Sequence, residues 1–229
     1  MERRADIEYA LHNGSYPCFN RDEFPREMVE SMLNREVPQK ELFSSPNAAN
    51  VHDPELRYVI ADLMSVSLLL NGDRTCFKLE PYAFHEIWIS VSYRLLHRYP
   101  LAGTRPEKDC DNAWYLGLLA LITTFLFRSG RSQPPLYDLL ANTLRDTIQS
   151  TSSHGFVEET TLLWLLFVSG ISMFGAIDRT WLLPRIKTCL INLNIDNWRT
   201  ARDKIRKFPW IDEAHDKPGH ELWKAVVAE

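Results

Sequence analysis

Four cysteines in 229 residues, at positions 18, 76, 110 and 189, form no CxxC pair and no Cys/His ligand spacing, so no zinc site or disulfide framework is legible. Reduced thiols and an intracellular setting are the expectation, with no metal and no cofactor. GxSxG, HExxH, GxGxxG and P-loop patterns are all missing, which removes the usual signatures of hydrolytic, dinucleotide and nucleotide-phosphate chemistry and leaves catalytic residues unknown. The opening MERRADIEYALHNGSY has no apolar stretch of the kind a secretion signal needs, so export is not expected. Positive charge is not in surplus either. With 26 bases against 30 acids and a net charge of -4, nothing draws the whole chain to phosphate backbones or anionic lipid, and neither direct nucleic-acid binding nor membrane binding is expected. No segment alternates apolar and polar residues, and no repeat of 30–50 residues is visible, which argues against sheet and solenoid alike.

Long apolar runs are limited to two, 112–127 and 160–177, of 16 and 18 residues. Both contain Thr, Ser or Gly and sit beside charged, helix-capping residues, so buried core helices are expected rather than membrane spans. The second run belongs to the stretch 156–185, around which the rest of the chain is organised. Glu158 and Glu159 sit in its first turn, where acids complement unpaired N–H groups. From Leu162 to Phe174 there is no charge, so this helix should run through the middle of the protein, with Gly170 inside it and Gly175 placed to end it.

The remaining helices follow from caps and stripes. Residues 1–21 show no helical period and are expected to be loosely attached; Phe24, Met28, Met32 and Leu33 suggest a short helix, and 39–52 a linker. The N-terminal quarter is the acidic part, with eleven acids against six bases in 1–55. Asp53-Pro54 is a cap followed by proline in the first turn, and Leu56, Val59, Ile60, Leu63, Met64 and Leu68 then form one stripe that Asn71-Gly72 closes. Further helices are expected from about Pro81 to Arg98, from Asn112 to Arg128 with Asp111 as cap, and after Gln133-Pro134-Pro135. Others should start after Asp178 and after Asp196, and a short one should lie around Glu221 to Val227. The expectation is an all-α fold, a single-domain antiparallel array of about eight or nine helices. An N-terminal segment 1–52 with one short helix and linker would precede the helical domain 53–229.

Three constellations can be read in two ways. His215 and His220 are five apart with Pro218-Gly219 between them, which does not place two imidazoles on one helical face, so a structural role is expected. Residues 198–207 hold five bases and one acid, which reads as a solvated helix surface rather than a nucleic-acid footprint. Five of the seven tryptophans fall in the last third, where they either fill helix junctions or line a pocket; core packing is the expectation. A pocket, if built, would draw on Trp88, Trp164, Arg179, Trp181, Trp210, His215, Asp216 and Trp223.

The stretches LWLLFVSGI (163–171), RTWLLPRI (179–186), Phe208-Pro209-Trp210 and HDKPGHELW (215–223) recur in an order and spacing that resembles the fungal-specific transcription factor domain. That domain is the helical regulatory region C-terminal to the binuclear zinc cluster of fungal transcription factors. Residues 84–96, ending Tyr93-Arg94-Leu95-Leu96, are similar to another of its helices, so the likeness spans about 53–227. The six-cysteine cluster that reads DNA is not there, and the N-terminal half of a full-length family domain is missing or shortened. The resemblance implies a regulatory module that meets a protein partner or a second copy of itself, senses a small hydrophobic effector, and resides in the nucleus or cytoplasm. It brings no catalytic residues; Arg179, Trp181, Trp210, Asp216 and Trp223 match its recurrent positions, with structural roles expected. The alternative is an enzyme of fungal secondary metabolism, whose helical pocket cyclises or isomerises a hydrophobic metabolite by positioning it.

Overall fold

A computed structural model describes residues 2–19, 50–72, 80–126, 137–154, 157–172 and 179–228. Among them it contains nine helices and no strand. In chain order they are α1 (Glu2–Asn13), α2 (Pro54–Asn71), α3 (Pro81–Arg98), α4 (Asp109–Leu126), α5 (Asp138–His154), α6 (Glu159–Ser172), α7 (Arg179–Asn192), α8 (Trp198–Ile205) and α9 (Asp212–Ala228). The all-α expectation holds. The helix expected at Phe24 to Leu33, most of the 39–52 linker, and the punctuating residues Gln133, Gly175 and Asp178 lie outside the described residues.

Helix α6 is the central rod. Every residue from Thr161 to Gly170 is buried, and α4, α5, α7, α8 and α9 all pack on it, α4 most extensively. A helix with no polar face has to be enclosed on all sides, because any exposed side would leave leucine in water. Gly170 serves that enclosure: a Cβ there would lie 2.6 Å from Leu222 of α9, so the missing side chain lets α9 approach closely. One hydrophobic cluster takes in residues of all nine helices, from Ile7 of α1 to Val226 of α9.

The entry to α2 is built as its sequence suggests. Asp53 accepts from the Leu56 amide at 3.0 Å, with Pro54 in the first turn. Asp111, expected to cap its own helix, is instead inside α4, which begins two residues earlier. Its carboxylate accepts from the amides of His52 and Asp53 at 2.8 and 3.0 Å. The acid thus ties the start of α2 to α4, a cap supplied across some sixty positions of chain, because the carboxylate meets better-placed donors there than in its own first turn.

Residues 2–19 are not loosely attached. α1 packs on α3 and α5, burying Ile7, Ala10 and Leu11. That stripe is only three residues wide, and polar anchors complete it. Arg3 meets the buried Glu86 of α3 with two parallel bonds of 3.0 and 2.8 Å, and Asp6 binds the following turn and Tyr93. At the end of α1, Gly14 takes φ of +65°, where a Cβ would strike Leu139 of α5 and Ala102; its carbonyl accepts from the Ala102 amide at 2.9 Å. Arg3→Ala is expected to cost about 2 kcal/mol in urea unfolding, because Glu86, 3% exposed, is left with an unpaired buried charge. Pairing it with Glu86→Gln should recover part of that loss in a double-mutant cycle.

Two other boundaries differ from expectation. The cap of α8 is Asn197, which accepts from the Thr200 amide at 2.9 Å, and not Asp196, which accepts from the Asn197 side chain. α9 does not begin near Glu221 but at Asp212, and it carries Pro218 in its interior. Proline there removes one backbone bond, a cost of about 3 kcal/mol in an isolated helix. The bonds that fix the first two turns of α9 offset it. No described helix is long and apolar enough to cross a membrane.

Candidate functional site

The corner between α8 and α9 gathers most of the polar groups singled out in the sequence. Asn71, at the end of α2, accepts from the Asp212 amide at 2.9 Å and donates to the Trp210 carbonyl at 2.6 Å, while Ser67 accepts from the Trp210 amide at 3.1 Å. The end of α2 therefore holds the backbone from which α9 starts. His215 reaches back from the first turns of α9 and accepts from the Ile211 amide at Nδ1, 3.0 Å away. That bond requires a lone pair on Nδ1, so the ring proton sits on Nε2, which meets Thr124 Oγ1 at 2.9 Å; the threonine hydroxyl in turn donates to the Leu121 carbonyl at 2.6 Å.

Asp216 is equally committed. One oxygen accepts from Trp210 Nε1 at 2.9 Å and the other from Arg202 Nε at 2.7 Å. Arg202 also meets Asp212 at 2.9 Å, and Arg206 meets the same Asp212 oxygen at 3.0 Å. The pair of arginines four apart on one segment thus faces a pair of aspartates four apart on the next. Asp212 is the member that sequence reading missed. Its Oδ1 is buried without a hydrogen-bond partner, and burial, together with the charge of Asp216, raises its carboxyl above the usual value against the lowering pull of Arg202 and Arg206. The matched i, i+4 spacing of Arg202/Arg206 and Asp212/Asp216 was the signal available for it.

The aromatic candidates divide into three places. Trp164, fully buried on α6, donates from Nε1 to the Pro209 carbonyl at 3.0 Å and stacks on Phe208 at 5.5 Å with an 11° tilt, with Trp114 of α4 packed on both. Trp88 donates to the Ile122 carbonyl and touches Phe125, which meets the His215 ring in a T-shaped contact at 5.3 Å; Trp210 packs on the same imidazole at 5.0 Å. Trp88, Trp164, Trp210, His215 and Asp216 therefore belong to one continuous assembly. Trp223 packs against Trp198. Trp181 is on α7, facing the Arg145 guanidinium at 5.5 Å, and the Arg179 side chain lies outside the described residues. Within the assembly the rings touch one another: a Cβ on Gly117 would lie 2.5 Å from the Trp164 ring, and one on Gly219 about 3.0 Å from Trp198 and Trp210.

The basic stretch 198–207 has two of its five charges, Arg202 and Arg206, matched by Asp212 and Asp216, which removes much of its field. Among the described cysteines, burial pushes the Cys110 thiol up to about 11 and holds Cys189 higher still, where its S–H faces Glu159. Neither is a poised nucleophile. Among the described residues no group of three or more His, Cys, Asp or Glu side chains is arranged to hold a metal ion.

An open cleft of about 550 Å³ lies away from this corner, between the 99–108 loop, the start of α4 and the outer face of α5. Its lining is polar and includes Arg105, Asn112, Asp146, Thr147 and Ser150. Comparison of the chain with protein-family models, with curated proteins and with solved structures finds no match in any of the three.

Proposed function

We propose that this chain is a regulatory interaction module, similar in role to the helical region of fungal zinc-cluster transcription factors but without a DNA-reading cluster of its own. It acts by contact with a protein partner or with a second copy of itself, in the nucleus or cytoplasm. The observation that carries the reading is the commitment of His215 and Asp216, in the α8–α9 corner, to bonds within the fold. Both nitrogens of His215 and both oxygens of Asp216 are engaged by fixed donors and acceptors. A general acid or base needs a free site within hydrogen-bond reach of its substrate, and these groups have given theirs to the fold. The rings that a small apolar effector or metabolite would touch already touch one another, which favours protein contact over chemistry in an enclosed pocket.

Tethering is the direct test. The chain fused to a heterologous DNA-binding domain should change transcription of a fungal reporter carrying that domain's site by several-fold in either direction. Unchanged reporter output from a fusion whose helical circular dichroism is intact, together with a strictly monomeric mass in light scattering, would overturn the role.

A further inference from the structure

The cleft beside α5 brings two charges of opposite sign into one space. Arg105 on the loop and Asp146 on α5 line the same space, both exposed, and neither makes a hydrogen bond or ion pair with the other or with any other side chain. Arg3, Arg94, Arg98, Arg202 and Arg206 are all paired with carboxylates. The same lining carries neutral hydrogen-bonding groups. Ser150 donates to the Thr147 carbonyl at 3.0 Å, which uses its proton and leaves its oxygen able to accept. Asn112 is held to Thr147 by one long bond of 3.4 Å, and its Oδ1 is buried with no partner. A modest rotation of that amide would present the oxygen to an incoming N–H, relieving an unsatisfied acceptor.

We propose that this cleft binds a small zwitterion of the α-amino acid class, its carboxylate on Arg105 and its ammonium on Asp146, with Asn112 and Ser150 accepting the remaining N–H bonds. The volume falls within the roughly 300–1,000 Å³ typical of small-molecule sites. A purely anionic ligand such as phosphate would leave Asp146 unmatched, and a neutral polyol would leave both charges unmatched, so a molecule carrying both signs is the best fit to the lining. The site goes beyond the partner-binding role, and its test uses the chain alone, so failure of either is seen separately.

Isothermal titration of the full chain with L-alanine and L-glutamine should give saturable heat. Acetate and ethylamine, each carrying half of the zwitterion, should bind at least about tenfold more weakly. Arg105→Gln and Asp146→Asn should each weaken amino-acid binding by about tenfold or more while leaving the melting temperature of the free chain unchanged, since neither side chain is bonded to the fold. No saturable heat at millimolar concentration, heat indifferent to both substitutions, or equal binding of acetate or ethylamine would overturn the assignment.

Discussion

Trp164→Ala is expected to lower the unfolding free energy by about 3–5 kcal/mol, read as a fall in the urea midpoint at unchanged slope. The indole is fully buried at the crossing of α4 and α6, packed on Trp114 and Phe208, and its N–H is bonded to the Pro209 carbonyl. Truncation opens a void that the neighbours cannot close, because Gly117 offers no side chain to move in and α6 is fixed on every face. Since domains of this kind are stable by only about 5–15 kcal/mol, the variant should be near the limit of folding. Trp164→Phe keeps most of the ring and loses the N–H bond, so it should cost roughly 1–2 kcal/mol. The contrast separates a core ring from a pocket wall. A tryptophan with an empty face would lose far less on truncation, and a drop under about 1 kcal/mol would contradict the filled interior.

How much of this fold is legible in the sequence depends on whether a segment carries its own signals. α2 and α3 do: a cap or proline opens each, a stripe at three- and four-residue spacing follows, and the observed Pro54–Asn71 and Pro81–Arg98 lie where those signals place them. α6 is equally plain, because eighteen uncharged residues after two acids leave no arrangement but an enclosed helix. α1 carries almost no signal of its own. Its apolar stripe is three residues, and what holds it is Arg3 on Glu86 and Asp6 on Tyr93, pairs more than eighty positions apart that no local pattern reveals. The start of α9 is hidden for the same reason. Pro218 reads as a break when considered alone, and the bonds from Asn71, Arg202 and His215 that keep the helix continuous come from distant segments or run back along it.

The candidate site was legible as a set of residues more than as an arrangement. Trp210, His215 and Asp216 stand out in the last third of the chain, and they do meet. Their partners Ser67, Asn71 and Thr124 lie on α2 and α4, ordinary polar residues with nothing in their own sequence context to mark them. The cleft is harder still. Arg105 and Asp146 are exposed charges in unremarkable contexts, and only the placement of the 99–108 loop beside α5 gives them a common space.

Asp6→Ala should cost about 3 kcal/mol at neutral pH, with a distinctive dependence on acid. The Asp6 carboxylate is 5% exposed and accepts from the Cys18 amide at 2.7 Å, the Phe19 amide at 3.0 Å and the Tyr93 hydroxyl at 2.7 Å. Burial alone would raise its carboxyl, but those donors outweigh it and hold it below the ordinary 3.8. A carboxyl whose folded value is depressed stabilises the fold fully above its unfolded value and loses that contribution as pH falls through the folded one. The gap in unfolding free energy between the natural chain and Asp6→Ala is therefore expected at full size above about pH 4, narrowing progressively below it. Asp53, depressed in the same way by Tyr99, Leu56 and Arg98 against its own burial, adds to the acid sensitivity of both proteins and cancels in the difference. Asp212 acts with the opposite sign, since its raised carboxyl favours the folded state as pH falls, and it cancels too. A gap that stayed constant from pH 7 down to pH 3 would mean that the charge on Asp6 is not what fastens α1 and its following turn to α3.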